Sequence, residues 1–159
     1  MRASGILLPV SSLPGKYGIG CFSKSAFEWI DFLQESGQTF WQILPLGPTS
    51  YGDSPYQSFS TFAGNPYFIS LEELIAEGLL TREECETANL GTNPSYVDYE
   101  KQYENRNPLL HKAYENSKKR EDADFLKFEE EQKAWLSDYA LFMALKDVHD
   151  KQAWNTWEE

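Results

Sequence analysis

No stretch of this sequence approaches the ~18 to 20 consecutive apolar residues that a membrane-spanning helix requires. Met1-Arg2-Ala3-Ser4-Gly5 leads into a short apolar run with no small-residue cleavage site, so neither insertion nor secretion is predicted. Cysteine and histidine are scarce, with two of each. Cys21 and Cys85 have no CxxC spacing and form no ligand set of known spacing with His111 and His149, so the expectation is reduced cytosolic thiols and no structural metal. Basic residues are also few: 14 Lys and Arg stand against 25 Asp and Glu, a formal net charge of -11. Nucleic acids and anionic membranes both need cationic side chains to replace counterions along phosphates, so this balance argues against them and favours a neutral partner.

What the chain does contain is enough for one folded core: 159 residues, 41% hydrophobic and 15% aromatic. The charge is unevenly placed. Residues 1–70 hold 3 of the 14 basic and 4 of the 25 acidic side chains, leaving most of the negative charge to residues 71–159. The first part is rich in Gly, Pro, Ser and aromatics, which suits strands and shaped loops. The second carries Glu and Lys at helical spacings, which suits solvated helices.

Gly5-Ile6-Leu7-Leu8-Pro9-Val10 predicts a buried strand, ended early by Pro9 and followed by a turn-rich loop through Gly20. Ala26, Trp29, Ile30 and Leu33 recur at helical spacing behind a Ser25/Glu28 capping-box pair and ahead of Gly37, which predicts a helix of about three turns. Thr39 to Leu46 is β-branched and aromatic and reads as a second strand. Strand, helix, strand is the crossover that builds parallel sheets and α/β barrels, whose reactive face lies at the carboxyl ends of the strands.

Farther on, Ser70/Glu73 and Thr81/Glu84 announce two short helices around Gly78, and Asn89 to Val97 is turn-like. Pro108 suits the first position of a helix following Asn107. One longer helix is predicted over roughly Asp124 to His149, with Phe125, Phe128, Trp135, Tyr139, Phe142 and Val148 along one face. His111, His149 and the Glu129-Glu130-Glu131 run are expected to be solvated. The final segment, with Trp154 and Trp157, carries no stop signal and reads as if a longer polypeptide had been cut there.

Between Gly47 and Tyr67 no helical or alternating period is sustained, yet residues 40–68 hold 8 of the 24 aromatics. A long aromatic loop in a compact domain is functional or packs on itself. Sugars present flat C–H faces rimmed by hydroxyls, so a saccharide site needs rings for stacking and small polar or carboxylate side chains for directional bonds. Gly52-Asp53-Ser54-Pro55-Tyr56-Gln57-Ser58 supplies both kinds. The competing reading is that Tyr51, Tyr56, Phe59 and Phe62 fill the core beneath the loop, and that Asp53 is a turn former bonding its own backbone.

Three motifs go further: Ser11-Ser12-Leu13-Pro14-Gly15-Lys16-Tyr17-Gly18-Ile19-Gly20, Phe40-Trp41-Gln42-Ile43-Leu44-Pro45-Leu46-Gly47-Pro48-Thr49, and Tyr51-Gly52-Asp53-Ser54-Pro55-Tyr56-Gln57-Ser58-Phe59-Ser60 with Ala63-Gly64-Asn65-Pro66-Tyr67. In this order they resemble the amino-terminal part of the bacterial amylomaltases, or 4-α-glucanotransferases, over about the first 70 residues. The resemblance implies an α/β fold, the amino-terminal part of an interrupted (β/α)8 TIM-type barrel, with first strands, helix and substrate loop in 1–70 and a mostly helical insertion in 71–159.

It also implies transfer of α-1,4-glucan segments between maltooligosaccharides by a retaining double displacement, without cofactor or metal. That chemistry needs a nucleophilic carboxylate and an acid/base about 5 to 5.5 Å apart. The family's three acids lie downstream, so no catalytic residue is expected here. The residues that carry over are Tyr56, which matches the tyrosine stacking on the sugar at the cleavage point, Ser54 and Asp53 as its polar neighbours, and Tyr51 at a second glucan site. Gln57 joins them as a hydroxyl partner, while Phe59 and Phe62 stay with the core. The alternatives are a non-catalytic glucan-binding or interaction fragment and an α-amylase-type hydrolase.

Overall fold

The computed structural model describes residues 2–49, 52–118 and 123–157. The chain forms two compact units, Met1–Lys119 and Arg120–Glu159. Within the first unit one apolar cluster joins Tyr17 to Leu71, Leu80, Leu90 and Leu109.

In the first unit, β1 (Gly5–Leu7) and β2 (Phe40–Gln42) pair in parallel, with Gly5 opposite Phe40 and Leu7 opposite Gln42. Both strands are shorter than the apolar runs that predict them. Pro9 has no N–H to donate, and after Leu8 N–H donates to Gln42 C=O at 3.0 Å the chain turns into a 3-10 turn at Val10–Ser12. The expectation of a buried first strand is overturned. Register places Leu7 and Phe40 on one face, where they are 52% and 61% exposed. The opposite face packs on α1 (Lys24–Glu35): Val10, Leu13 and Ala26 form a small core, with Trp29, Trp41, Ile43 and Phe68 against it.

The start of α1 also differs from the prediction. Ser23 is its N-cap, with no side-chain bond to the helix, and the hydroxyls of Ser23 and Ser25 meet each other at 3.0 Å instead. Its end is as predicted. Gly37 sits at φ +68, its N–H donates to Gln34 C=O, and Gln38 N–H reaches Leu33 C=O at 2.9 Å, so the last orphan carbonyls are capped.

Two short helices follow, α2 (Leu71–Ala76) and α3 (Arg82–Thr87), each begun by the hydroxyl named from sequence. Ser70 Oγ accepts from Glu73 N–H, and Thr81 and Glu84 complete a reciprocal capping box. The helix expected to begin at Pro108 instead runs as α4 (Tyr99–Ser117), with Pro108 inside it and Asp98 as N-cap, accepting from Lys101 N–H at 3.2 Å. The interior proline removes one helical donor, but the fully buried side chains of Gln102 and Arg106, each about two turns before the buried Leu109 and Ala113 respectively, keep the helix seated on the core.

In the second unit, the single long helix predicted from periodicity is two, α5 (Ala123–Gln132) and α6 (Leu136–Val148). The break is local: Trp135 leaves helical geometry and its indole N–H donates to Gln132 Oε1 at 2.8 Å. Neither helix buries a residue. His149 is not simply solvated, since its ring stacks on Trp157 with centroids 4.8 Å apart. Among the described residues, no helix is long and apolar enough to cross a membrane.

Candidate functional site

The chain leaves β2 into a segment whose described residues form no helix or strand until the 3-10 turn Pro66–Phe68. Its ends are pinned together: Asn65 N–H donates to Leu46 C=O at 2.8 Å, and the buried Asn65 side chain accepts from Tyr67 N–H at 2.9 Å. Such closure defines a compact surface loop, and some of its backbone groups find partners inside it. Ser60 does part of that, accepting from Phe62 and Ala63 N–H through its hydroxyl.

At the loop's tip Gln57 N–H donates to Ser54 C=O at 3.0 Å, closing a four-residue turn with Pro55 at its second position, where a fixed φ is favourable. Tyr56 takes the third position, and its side chain is 74% exposed. Ser54 is half-buried in the same turn and Gln57 exposed beside it. Tyr51 lies outside the described residues. The assignment of Phe62 to the core is overturned, for it is 69% exposed, and Phe59 is 38% exposed. The space beneath the loop is already occupied by Leu46, Phe68 and Ile43 with Val10 and Leu13.

Asp53 turns the other way. It follows Gly52 with left-handed backbone, φ +54, and lines a cavity of about 90 Å³ at the carboxyl ends of the paired strands. Ser11, Asn65, Tyr67 and Tyr99 share that cavity. Burial raises the Asp53 carboxyl above the ordinary aspartate range. Tyr67 is pushed up to about 12, first by burial and then by the charge of Asp53. Tyr99 is raised by burial, against the hydrogen bond it shares with the Ser11 side chain, and again by Asp53. The Tyr67 and Tyr99 rings lie 6.1 Å apart. Sequence reasoning missed this tyrosine pair as part of the site. Tyr67 stood in a quoted motif, but nothing local marks Tyr99, which α4 delivers from a distance in sequence.

An exposed ring on a rigid turn, hydroxyl and amide groups beside it and a polar recess at the carboxyl ends of parallel strands together suit a carbohydrate-active protein. Among the described residues no His, Cys, Asp and Glu cluster able to hold a metal is present.

Residues 8–159 match the 4-alpha-glucanotransferase family, and the chain belongs to it. It is 53% identical over 94% of its length to the 4-alpha-glucanotransferase of Clostridium butyricum, and 50% identical over 99% to that of Streptococcus pneumoniae. A similar structure is the amylomaltase from Streptococcus agalactiae in complex with acarbose, at a TM-score of 0.94 and 44% identity over all of this chain. The chain spans about a third of the length of these relatives, 31% and 32% of the two sequences and 32% of the solved chain.

Proposed function

We propose that residues 1–159 supply the donor-side wall of a retaining 4-alpha-glucanotransferase acting on α-1,4-glucans and maltooligosaccharides in the cytoplasm. In this reading β1 and β2 are the first two strands of an interrupted (β/α)8 barrel, and residues 71–159 belong to its helical insertion. The intact polypeptide cleaves an α-1,4 bond, holds the donor fragment as a glycosyl ester on a carboxylate and passes it to the 4-hydroxyl of a second glucan. No cofactor enters.

One observation carries the reading: Tyr56 stands 74% exposed at the tip of a turn whose base opens on the recess at the strand ends. A ring so placed can stack on a sugar face, with Ser54 and Gln57 within reach of hydroxyls, while Tyr51 is assigned to a second glucan site away from the cleft. Transfer outruns hydrolysis only where water is kept from the ester, and an aromatic loop over the cleft serves that end. A retaining mechanism needs two carboxylates, and in this reading they lie downstream of these residues in the polypeptide.

Incubation with maltotriose tests this. Residues 1–159 alone should give no products, and the native polypeptide should give glucose together with longer oligomers. A ladder from residues 1–159 alone would place the acids within them and overturn the assignment; consumption of glucan without longer products would identify a hydrolase.

A further inference from the structure

We infer that Gly47 is a positioning residue: because it carries no side chain, Ser58 seats directly on the chain leaving β2, and this contact fixes where the turn bearing Tyr56 is held. That the placement of this ring matters to a sugar rests on the function proposed above.

Gly47 does not adopt a left-handed backbone, so what glycine supplies here is space. A Cβ added to it would lie 2.3 Å from Ser58 Oγ, 2.9 Å from Ser58 Cβ and 3.2 Å from the Ser60 carbonyl oxygen. Rotation about χ1 could carry the hydroxyl away, but it would break the bond that Ser58 Oγ donates to Ser60 C=O at 2.8 Å and the one it accepts from Ser60 N–H at 3.3 Å. No rotation moves the Cβ. The backbone at residue 58 must then retreat by roughly half an ångström to reach the ~3.5 Å of an ordinary carbon contact. Gly64, in the same loop, is the contrast: a Cβ there meets nothing within 4 Å.

Which side gives way follows from what holds each. Leu46 packs against the small core and its C=O accepts from Asn65 N–H, while Pro48 is buried, with φ fixed by its ring. Ser58 belongs to the outer part of the loop, directly after the turn closed by Gln57 N–H on Ser54 C=O, where Tyr56 is 74% exposed. Beyond Ser58 the chain is tied down, because the Ser60 hydroxyl accepts from Phe62 and Ala63 N–H. A side chain at residue 47 therefore lifts Ser58 and, one residue farther on, the ring. Binding groups tolerate a displacement of only about 0.5 Å before contacts are lost.

The test uses the native polypeptide with Gly47→Ala, Gly64→Ala, Ser58→Gly and Tyr56→Ala, and with Gly47→Ala combined with each of the last two. Gly47→Ala should lower kcat/KM on maltotriose about tenfold, since a full ångström of misplacement can cost about a hundredfold. Gly64→Ala should stay at the parent value. Ser58→Gly removes both atoms nearest the new methyl, so adding Gly47→Ala to it should change kcat/KM by less than about twofold. Adding Gly47→Ala to Tyr56→Ala should likewise change little, because the ring it would displace is gone. A crystal structure of Gly47→Ala should show the turn from Ser54 to Gln57 displaced from the strand pair by about half an ångström or more. A Gly47→Ala loss that persists undiminished in the Ser58→Gly or Tyr56→Ala background, or a turn that stays in place, would overturn the inference. If Gly47→Ala alone does not fold, the combination with Ser58→Gly must restore folding, and its failure to do so overturns the inference as well. Full activity of Tyr56→Ala would remove only the stacking reading, and the position of the turn in the Gly47→Ala crystal then decides the positioning role by itself.

Discussion

Arg106 and Gln102 lie one turn apart on α4, and the guanidinium Nη1 of the first donates to the side-chain carbonyl of the second at 3.2 Å, with both side chains essentially sealed from solvent. The pair ties together segments distant in sequence. Arg106 Nη2 donates to Ile69 C=O at 2.6 Å, and Gln102 Nε2 donates to Tyr17 C=O at 2.8 Å and Leu90 C=O at 2.6 Å. Arg106 Nε has no partner, and burial lowers the guanidinium's affinity for its proton, so this charge is held at a cost because it satisfies carbonyls that would otherwise be orphaned.

Arg106→Ala should therefore destabilise the protein by about 3 kcal/mol, the scale for stripping a partner from buried polar groups. Arg106→Lys should recover only part of this, since one ammonium cannot reproduce the fork that reaches both Ile69 and Gln102. Urea unfolding of the variants measures both. An alanine variant as stable as the parent would mean that water replaces the guanidinium.

Gly18 and Gly37 provide a controlled comparison. Both have positive φ, +78 and +68, but a Cβ on Gly18 would meet Leu90 C=O at 2.0 Å and Gln102 Nε2 at 2.6 Å, whereas one on Gly37 meets nothing. Gly37→Ala should cost about 1 kcal/mol, the left-handed penalty alone. Gly18→Ala should cost several times as much, because the same network that Arg106 anchors must shift. Equal midpoints for the two variants in thermal melts would contradict this.

Acid stability should depend on Glu84. Its carboxyl is lowered to about 2, first by the hydrogen bond and ion pair with Lys112 and then by Thr81 N–H, in the capping box of α3. A depressed carboxyl contributes stability that is fully present above its ordinary value near 4.5 and is lost as pH falls through about 2. Glu84→Gln should therefore lower the melting temperature at neutral pH and flatten its decline between those limits. A variant whose melting curve runs parallel to the parent's across that range would show that another group governs acid unfolding.

At the loop tip, Tyr56→Ala in the native polypeptide should reduce kcat/KM on maltotriose by an amount equivalent to about 1 to 2 kcal/mol of lost ring contact, with Tyr56→Phe retaining most of it. Folding should be unaffected, because the side chain is exposed. A variant of full activity, or one that unfolds, would return Tyr56 to a structural role.

Local signals were legible wherever neighbours in sequence settle the structure. The caps at Ser70 and Thr81 and the stop at Gly37 depend on residues a few positions apart, and all are found. The turn residues around Tyr56 were likewise visible. What only the tertiary structure decided was whatever needs partners far along the chain. Local preference puts Pro108 at a helix start, yet burial of Gln102 and Arg106 against Tyr17, Ile69 and Leu90 extends α4 through it, because packing outweighs propensity. Periodicity runs unbroken past Trp135, where the backbone leaves helical geometry and the indole bonds Gln132. The inward face of the loop was hidden for the same reason: Tyr99 meets Tyr67 and shares a cavity with Asp53 only once α4 is packed in place, and no spacing in a linear sequence encodes that approach.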